Sequence, residues 1–380
     1  MRVLLISTQG IGDIILVTPA IKYLHKQGCH IDMVCSDNGS HQIIEALGLV
    51  DKLFIYKEKH NYFRNIFRLL QEIYASKYEK VYAMYPNGKR ENILSFLLSK
   101  KNRGWAVKGR NSLRLLRCLI RDKVYLDESL SCHKDHYISN NLALVKADES
   151  SADPSPLIVV PQDIQKEADK TLHQVKKDFF LLVHPFSKLE RKCWSLENFK
   201  YVCRKLLNEK YLEIVVAGSP SEEKSVDEFI SDLDQKPRKF VRDNILSAAA
   251  VINDCGLFFG NDSSLLHIAA SLNKPAFSIY GFSELRRVIY GKRSIILSCD
   301  FKCSPCYNFE NPLYKGKGCS DIKCLRAIDK EIVFRVIAYT FDKLKQGENI
   351  ENIDYLPISG VERTVVLCYG SRELVLKKDN

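Results

Sequence analysis

Four short stretches concentrate the side chains able to do chemistry. The first, Thr8-Gln9-Gly10-Ile11-Gly12-Asp13, follows an apolar run and opens a helical pattern. Gly10-Ile-Gly12 suggests a dinucleotide turn, but the third glycine of that fingerprint would fall at position 15, which is Ile15. Asp13 would also repel a pyrophosphate at a helix start. A carboxylate in that place is either a general base for a hydroxyl or the cap of its own helix. The second stretch, His184-Pro-Phe-Ser187-Lys188-Leu-Glu-Arg191-Lys192-Cys-Trp194, packs a hydroxyl and three cations into six residues at a strand mouth. Such a group can neutralise a leaving diphosphate without a metal, or it is an exposed basic loop. In the third, Ala217-Gly218-Ser-Pro-Ser-Glu222-Glu223, the carboxylate of Glu222 can accept two hydrogen bonds from ribose hydroxyls, or simply favour a helix dipole. The fourth, Gly260-Asn-Asp262-Ser263-Ser264-Leu-Leu-His267, lies between two apolar runs. Hydroxyls and free backbone N–H groups at a helix start suit phosphate, and the diphosphate of a nucleotide-sugar is the ligand expected there. Ser263 can cap the same helix, and a histidine such as His267 within a helix more often packs than reacts.

These stretches need a scaffold that brings loops to one edge of a sheet. Arg2–Ser7 reads as a doubly buried strand, Ile14–His25 as a helix that restarts or kinks at Thr18-Pro19, and Ile31–Cys35 as a strand. Helix His41–Leu47, strand Lys52–Tyr56, helix Asn61–Ser76 and strand Lys80–Met84 follow. Residues 148–163, with Pro154, Pro156 and Pro161, read as a linker. A second series then begins: strand Phe179–Val183, helix Leu196–Asn208, strand Leu212–Ala217, helix Ser221–Ser231 and helix Asn244–Ile252. Strand Leu257–Phe259, helix Ser263–Leu272 and strand Ala276–Tyr280 complete it. The alternation is that of two doubly wound α/β domains facing a cleft. Expected boundaries are 1–155, 156–330 and a terminal part, 331–380. That last part holds a helix over Lys330–Lys345, able to pack back across both domains, and a hairpin over Thr364–Tyr369 and Glu373–Lys377.

The 380 residues exceed one ordinary core. Hydrophobic residues at 46% and charged residues at 27% are those of a globular protein. No apolar run reaches the roughly 18–20 residues of a membrane helix. Gly10, Gly12 and Asp13 also interrupt the N-terminal run before it could serve as a signal peptide, so a cytoplasmic protein is expected. Most of the thirteen cysteines stand singly in apolar patterns, as Cys203 and Cys255 do. Cys303-x2-Cys306 and Cys319-x4-Cys324 cluster, but the second pair is wider than a zinc knuckle, and no metal is expected. The net charge of +11 is uneven: residues 100–123 hold nine Lys or Arg against one acid. Such a segment attracts phosphate, on an acidic acceptor or an anionic lipid surface, or is a solvated helix face. It lacks the interleaved aromatics of a nucleic-acid site.

Taken together, the motifs resemble the ADP-heptose:lipopolysaccharide heptosyltransferases. The resemblance rests on Val3-Leu-Leu-Ile-Ser-Thr-Gln-Gly-Ile-Gly-Asp13, His184-Pro…Lys192-Cys-Trp…Glu197-Asn-Phe and Gly218-Ser-Pro-Ser-Glu222. It continues through Gly260-Asn-Asp-Ser…His267-x-Ala-Ala and Cys303-x-Pro-Cys306, in family order from residue 1 to about 335. It implies a GT-B fold and an inverting, metal-independent transfer of heptose from ADP-heptose to a phosphorylated lipopolysaccharide inner-core or lipid A acceptor, with no cofactor. It further implies Asp13 as the base, with Gly12 beside it. Lys192, helped by Ser187 and the Ser263 turn, would serve the diphosphate; Glu222 would hold the ribose and Asp262 would contact the donor, with Lys188, Ser264 and His267 as further donor-binding candidates. Lys101, Arg103, Arg110 and Arg114 would meet the acceptor or the anionic inner face of the inner membrane, where the family works as peripheral enzymes. Departures fall at Phe186, at Ser263-Ser-Leu-Leu and at Tyr280-Gly-Phe-Ser283, all around the donor. They keep open a second reading, another nucleotide-sugar or acceptor on the same fold, and a third, a catalytically silent binder of anionic glycolipid.

Overall fold

A computed structural model describes the chain except for residues 58–61, 75, 87, 99–101, 108–121, 127–136, 149, 174, 177, 211–212, 282, 284–291, 300, 302–303, 305–320, 349–364, 370–371 and 377–380. It divides into two compact units, Met1–Val159 and Val160–Asn380.

The first unit is built from β1 (Arg2–Ser7), α1 (Ile11–Ile15), α2 (Thr18–Lys26), β2 (His30–Ser36), α3 (Ser40–Leu47), β3 (Lys52–Tyr56) and α4 (Tyr62–Tyr74). It continues with β4 (Lys80–Ala83), α5 (Lys89–Leu98), β5 (Asn102–Val107), β6 (Asp122–Leu126) and α6 (Tyr137–Leu144). Its six strands are parallel in the order β3-β2-β1-β4-β5-β6. Val3, Leu4, Leu5 and Ile6 are all fully buried, which is why β1 is an unbroken apolar run rather than an alternating one. The helix after β1 starts at Ile11, three residues before the periodicity suggests, and Pro19 near the start of α2 marks the restart. At the two ends of the basic segment the chain is extended, β5 and β6, with Arg103 on β5 and Lys123 on β6; residues 108–121 between them lie outside the described residues. Lys101, Arg110 and Arg114 lie outside the described residues.

The second unit contains α7 (Gln162–Thr171), β7 (Phe180–His184), α8 (Leu196–Lys210), β8 (Glu213–Gly218), α9 (Glu223–Ser231), β9 (Arg238–Val241), α10 (Ile245–Asp254) and β10 (Leu257–Asn261). After these come α11 (Ser264–Ser271), β11 (Ala276–Tyr280), β12 (Ser294–Cys299), α12 (Lys323–Arg326), α13 (Lys330–Lys345), β13 (Val365–Tyr369) and β14 (Arg372–Leu376). The sheet order is β14-β13-β12-β11-β10-β7-β8-β9. The terminal hairpin extends it: β13 lies antiparallel to β12, and β14 to β13. Helix α13 places Val333, Ile337 and Phe341 in the same apolar cluster as Phe199, Phe259 and Phe277, so it belongs to the core of the second unit.

Each sheet has one place where neighbouring strands send their chains in opposite directions. In the first unit it lies between β1 and β4, and in the second between β7 and β10. Ligands of open α/β sheets bind at the carboxyl ends of such strand pairs.

Candidate active site

At the mouth of β7 and β10 the buried side chain of Asn261 holds the β7 loop by both ends. Its amide donates to the Pro185 carbonyl at 2.7 Å, and its Oδ1 accepts the Trp194 N–H at 2.9 Å. Trp194 is itself buried against Phe199, with ring centroids 5.3 Å apart, and its indole donates to the Ile328 carbonyl. Between these two fixed ends the chain forms a single 3₁₀ turn, Glu190–Lys192. Lys192 Nζ lies 2.7 Å from Asp262 Oδ2, the two side chains being only 16% and 8% exposed. The Ser187 hydroxyl donates to the Asp262 carbonyl at 3.4 Å. Ser187, Lys192 and Asp262 thus meet, whereas Lys188 is exposed on the same loop.

Strand β10 runs on through Gly260 and Asn261, beyond the end at Phe259 that the apolar run suggests. It does so because Gly260 pairs with His184 across the ladder, which also makes His184 the last residue of β7 rather than part of the loop. A side chain at Gly260 would put a Cβ 2.9 Å from the His184 carbonyl oxygen, so only glycine lets these strands meet there. Ser263 then takes an extended conformation before α11, and Ser264 is the first helical residue. The Ser263 hydroxyl makes no capping bond to the helix; among the described residues it is buried with no hydrogen-bond partner. His267 is 4% exposed within α11. The first-turn N–H groups of α11 and the Ser263 hydroxyl offer donors to an anion.

Glu222 ends a short 3₁₀ turn, Pro220–Glu222, rather than lying within the helix expected from Ser221. Its Oε2 accepts both the backbone N–H and the hydroxyl of Ser219, each at 2.8 Å, and lies 3.6 Å from His184 Nε2. Burial by itself would raise the carboxyl pKa. The His184 and Ser219 contacts outweigh it and hold Glu222 down at about 2. Gly218 permits this turn, since a Cβ there would stand 2.6 Å from the Val226 side chain.

At the mouth of β1 and β4, Asp13 occupies the first turn of α1 and is 7% exposed. Its Oδ2 accepts the Gly10 N–H at 3.3 Å, so the capping role is realised. Gly12 lies in the same turn. Sequence reasoning missed three residues here: Asn261 as the clamp on the β7 loop, His184 as the partner of Glu222, and the buried Glu91. Asn261 carries a faint signal, an amide ending an apolar strand. Glu91 carries none, standing in the polar run Lys89-Arg90-Glu91-Asn92.

Among the described residues no cluster of His, Cys, Asp or Glu is arranged to hold a metal. Cys303, Cys306 and Cys319 lie outside them, and Cys324 is buried in α12. Residues 66–316 match the model of glycosyltransferase family 9 (heptosyltransferase). The chain belongs to glycosyltransferase family 9.

Its similarity to curated members of that family is distant. It is 27% identical to lipopolysaccharide heptosyltransferase 3 of Escherichia coli (strain K12) over 111 residues, 28% of this chain and 32% of the relative. The chain therefore aligns with about a third of the length of the first curated relatives it matches. Against lipooligosaccharide heptosyltransferase 2 of Haemophilus influenzae (strain ATCC 51907 / DSM 11121 / KW20 / Rd) it is 24% identical over 300 residues, 74% of this chain and 83% of the relative. Among solved structures, the glycosyl transferase family 9 protein from Veillonella parvula DSM 2008 superposes with a TM-score of 0.70 at 20% identity, covering 90% of this chain and 97% of that one. The E. coli ADP-heptose lps heptosyltransferase II does so with a TM-score of 0.69 at 16% identity, covering 91% and 100%. The fold of this family 9 chain is accordingly GT-B, two Rossmann-like units in one polypeptide.

Proposed function

We propose that this chain transfers a heptose from ADP-heptose to a phosphorylated lipopolysaccharide inner-core or lipid A acceptor, with inversion at the anomeric carbon and without a metal. The observation that carries the reading is the contrast between its two switch-point mouths. One presents a carboxylate, Asp13; the other gathers Lys192, Ser187 and a buried Ser263 hydroxyl, unpartnered among the described residues, at the start of a helix. Membership of family 9 and the names of the relatives support it.

In this reading Asp13 takes the proton of the acceptor hydroxyl as its oxygen attacks C1 of the heptose. The C1–O bond to the diphosphate breaks on the opposite face, and ADP departs with both electrons of that bond. Lys192, Ser187, Ser263, Ser264 and the first-turn N–H groups of α11 receive the charge that develops on the diphosphate. Asp262, beside Lys192, contacts the donor sugar, and Glu222 accepts from the ribose hydroxyls. Lys188 and His267 complete the donor side. Gly12 and the basic residues Lys101, Arg103, Arg110 and Arg114 serve the acceptor and the anionic inner face of the inner membrane, where the enzyme works as a peripheral protein. No helix among the described residues is long and apolar enough to cross a membrane.

Mass spectrometry of core-truncated lipopolysaccharide incubated with the protein and ADP-heptose tests the reading. A gain of one heptose is expected; no gain, with the donor intact, overturns it. Calorimetry with ADP, UDP and GDP tests the base, and a preference for UDP or GDP would remove the adenine assignment.

A further inference from the structure

The β1/β4 mouth contains a second carboxylate that the reaction above does not use. Glu91, in the first turn of α5, is fully buried. Its Oε1 accepts the Thr8 N–H at 3.1 Å, the Gln9 side-chain amide at 2.9 Å and the Thr8 hydroxyl; its Oε2 accepts the Gly88 N–H at 2.8 Å. These partners come from the two loops that flank the switch point, one after β1 and one after β4.

A buried carboxylate is costly unless donors surround it. Four donors supply that here, all of them neutral, through charge-assisted bonds. An acceptor-only group imposes a direction on each partner, because no loop can slip without stripping the charge of a donor. The β1 loop is also gripped from β2 and the turn after it. The Ser36 hydroxyl donates to the Thr8 carbonyl at 2.9 Å, and the Asn38 amide donates to the Gln9 carbonyl at 3.1 Å. A Cβ on Gly88 would lie 3.0 Å from Glu91 Oε2 and 3.2 Å from the Gln9 amide, so the contact is close on that side too.

The fixed residues, Thr8 and Gln9, run directly into Gly10, whose N–H reaches Asp13. At 3.3 Å that bond is longer than the usual 2.9–3.0 Å and a weak restraint by itself. The Asp13 and Ile14 N–H groups close the turn on the Gly10 carbonyl at 3.0 and 3.1 Å, and Glu91, with Ser36 and Asn38, holds the two residues that lead into it. We infer that Glu91 is a positioning residue for Asp13, holding the Thr8–Gly10 turn so that the carboxylate of α1 is kept in place at the carboxyl end of β1. The inference rests on the general-base reading of Asp13.

Glu91→Gln keeps the shape but turns one acceptor into an amide donor that must meet another donor. The test compares Asp13→Ala, Glu91→Gln and the double variant in the heptose-transfer assay, with ADP affinity followed by calorimetry. Glu91→Gln is expected to lower kcat about 10–100-fold, the scale of a small misplacement of a reacting group. ADP affinity should stay within about twofold, because the donor groups belong to the other sheet. In the Asp13→Ala background the same change should cost less than about twofold, since residues acting as a unit are not additive. Gln9→Ala, which removes one donor at the edge of the network, gives the same non-additive pattern with a smaller loss and covers the case in which Glu91→Gln does not fold. A multiplicative loss in the double variant, or ADP affinity falling alongside kcat, overturns the inference, as does a wild-type rate for Glu91→Gln beside an inactive Asp13→Ala. A wild-type rate for Asp13→Ala itself would instead overturn the reading of Asp13 on which it rests.

Discussion

Helix α1, after β1, carries in its first turn an acid that turns back to the Gly10 N–H; helix α11, after β10, is preceded by Ser263, whose hydroxyl caps nothing. Both helices follow a strand of a switch-point pair whose two members run parallel. A carboxylate in the first turn neutralises the positive end of a helix and repels phosphate, while serines leave that end available. The clamps differ in the same spirit. In the first unit Glu91 only accepts, and everything around it must donate. In the second Asn261 both donates and accepts, so it can hold a loop by a carbonyl at one end and an N–H at the other. One architecture thus yields a mouth with a carboxylate at the helix start and a mouth with hydroxyl and N–H donors there, through a few side chains at helix starts and strand ends.

The comparison can be broken at its centre. Asp13→Ala should lower the rate of heptose transfer about 10²–10⁴-fold while leaving ADP affinity in calorimetry unchanged. If affinity falls equally, the two mouths do not have separate tasks. Lys192→Ala should cost about 10²–10³-fold in kcat, the scale for removing one group that stabilises developing charge. It should also weaken ADP binding, which Asp13→Ala does not; steady-state kinetics beside calorimetry separates them.

Asn261→Asp sharpens the clamp comparison, because a carboxylate cannot donate to the Pro185 carbonyl. It should destabilise the second unit by about 1–3 kcal/mol, measured by urea unfolding, the cost of a buried polar group left unpaired. Ser263→Ala should weaken ADP binding by only the worth of one hydrogen bond, about 0.5–1.5 kcal/mol, and leave the protein at least as stable to urea, because that buried hydroxyl has no partner among the described residues.

A last, smaller effect concerns acid. The carboxyl of Glu222 lies below its unfolded value of about 4.3, near 2. Its contribution to stability is therefore present above the unfolded value and lost as pH falls toward 2. Glu222→Gln should flatten the loss of stability across that window in acid titrations followed by circular dichroism, and change it little near neutrality.

The elements legible in the sequence are those with strong apolar signals. Strands β1, β3 and β11 and helix α13 have the ends that their patterns suggest, because the buried runs of β1 and β11, the alternating burial of β3 and a long amphipathic helix leave little ambiguity. The strands β5 and β6 were hidden by their basic residues, β9 by its four-residue length, and α5 by apolar residues on all sides of its second half. Strand ends at the mouths were short by one or two residues: His184, Gly260 and Asn261 are polar or small, yet the ladder includes them. These are the positions at which local propensity yields to strand pairing.

Of the candidate residues, the sequence by itself determined the side-chain chemistry at each mouth: an acid after β1, hydroxyls before α11, cations after β7. Those choices are local, since a turn and the helix start after it are adjacent in the chain. Only the tertiary structure decided which groups meet. Lys192 pairs with Asp262, His184 with Glu222, Asn261 with a loop whose Pro185 lies 76 positions away, and Glu91 with Thr8 across 83 positions. Such contacts follow from strand order, and strand order is set by how whole helices cover both faces of a sheet. No single stretch of sequence carries that information.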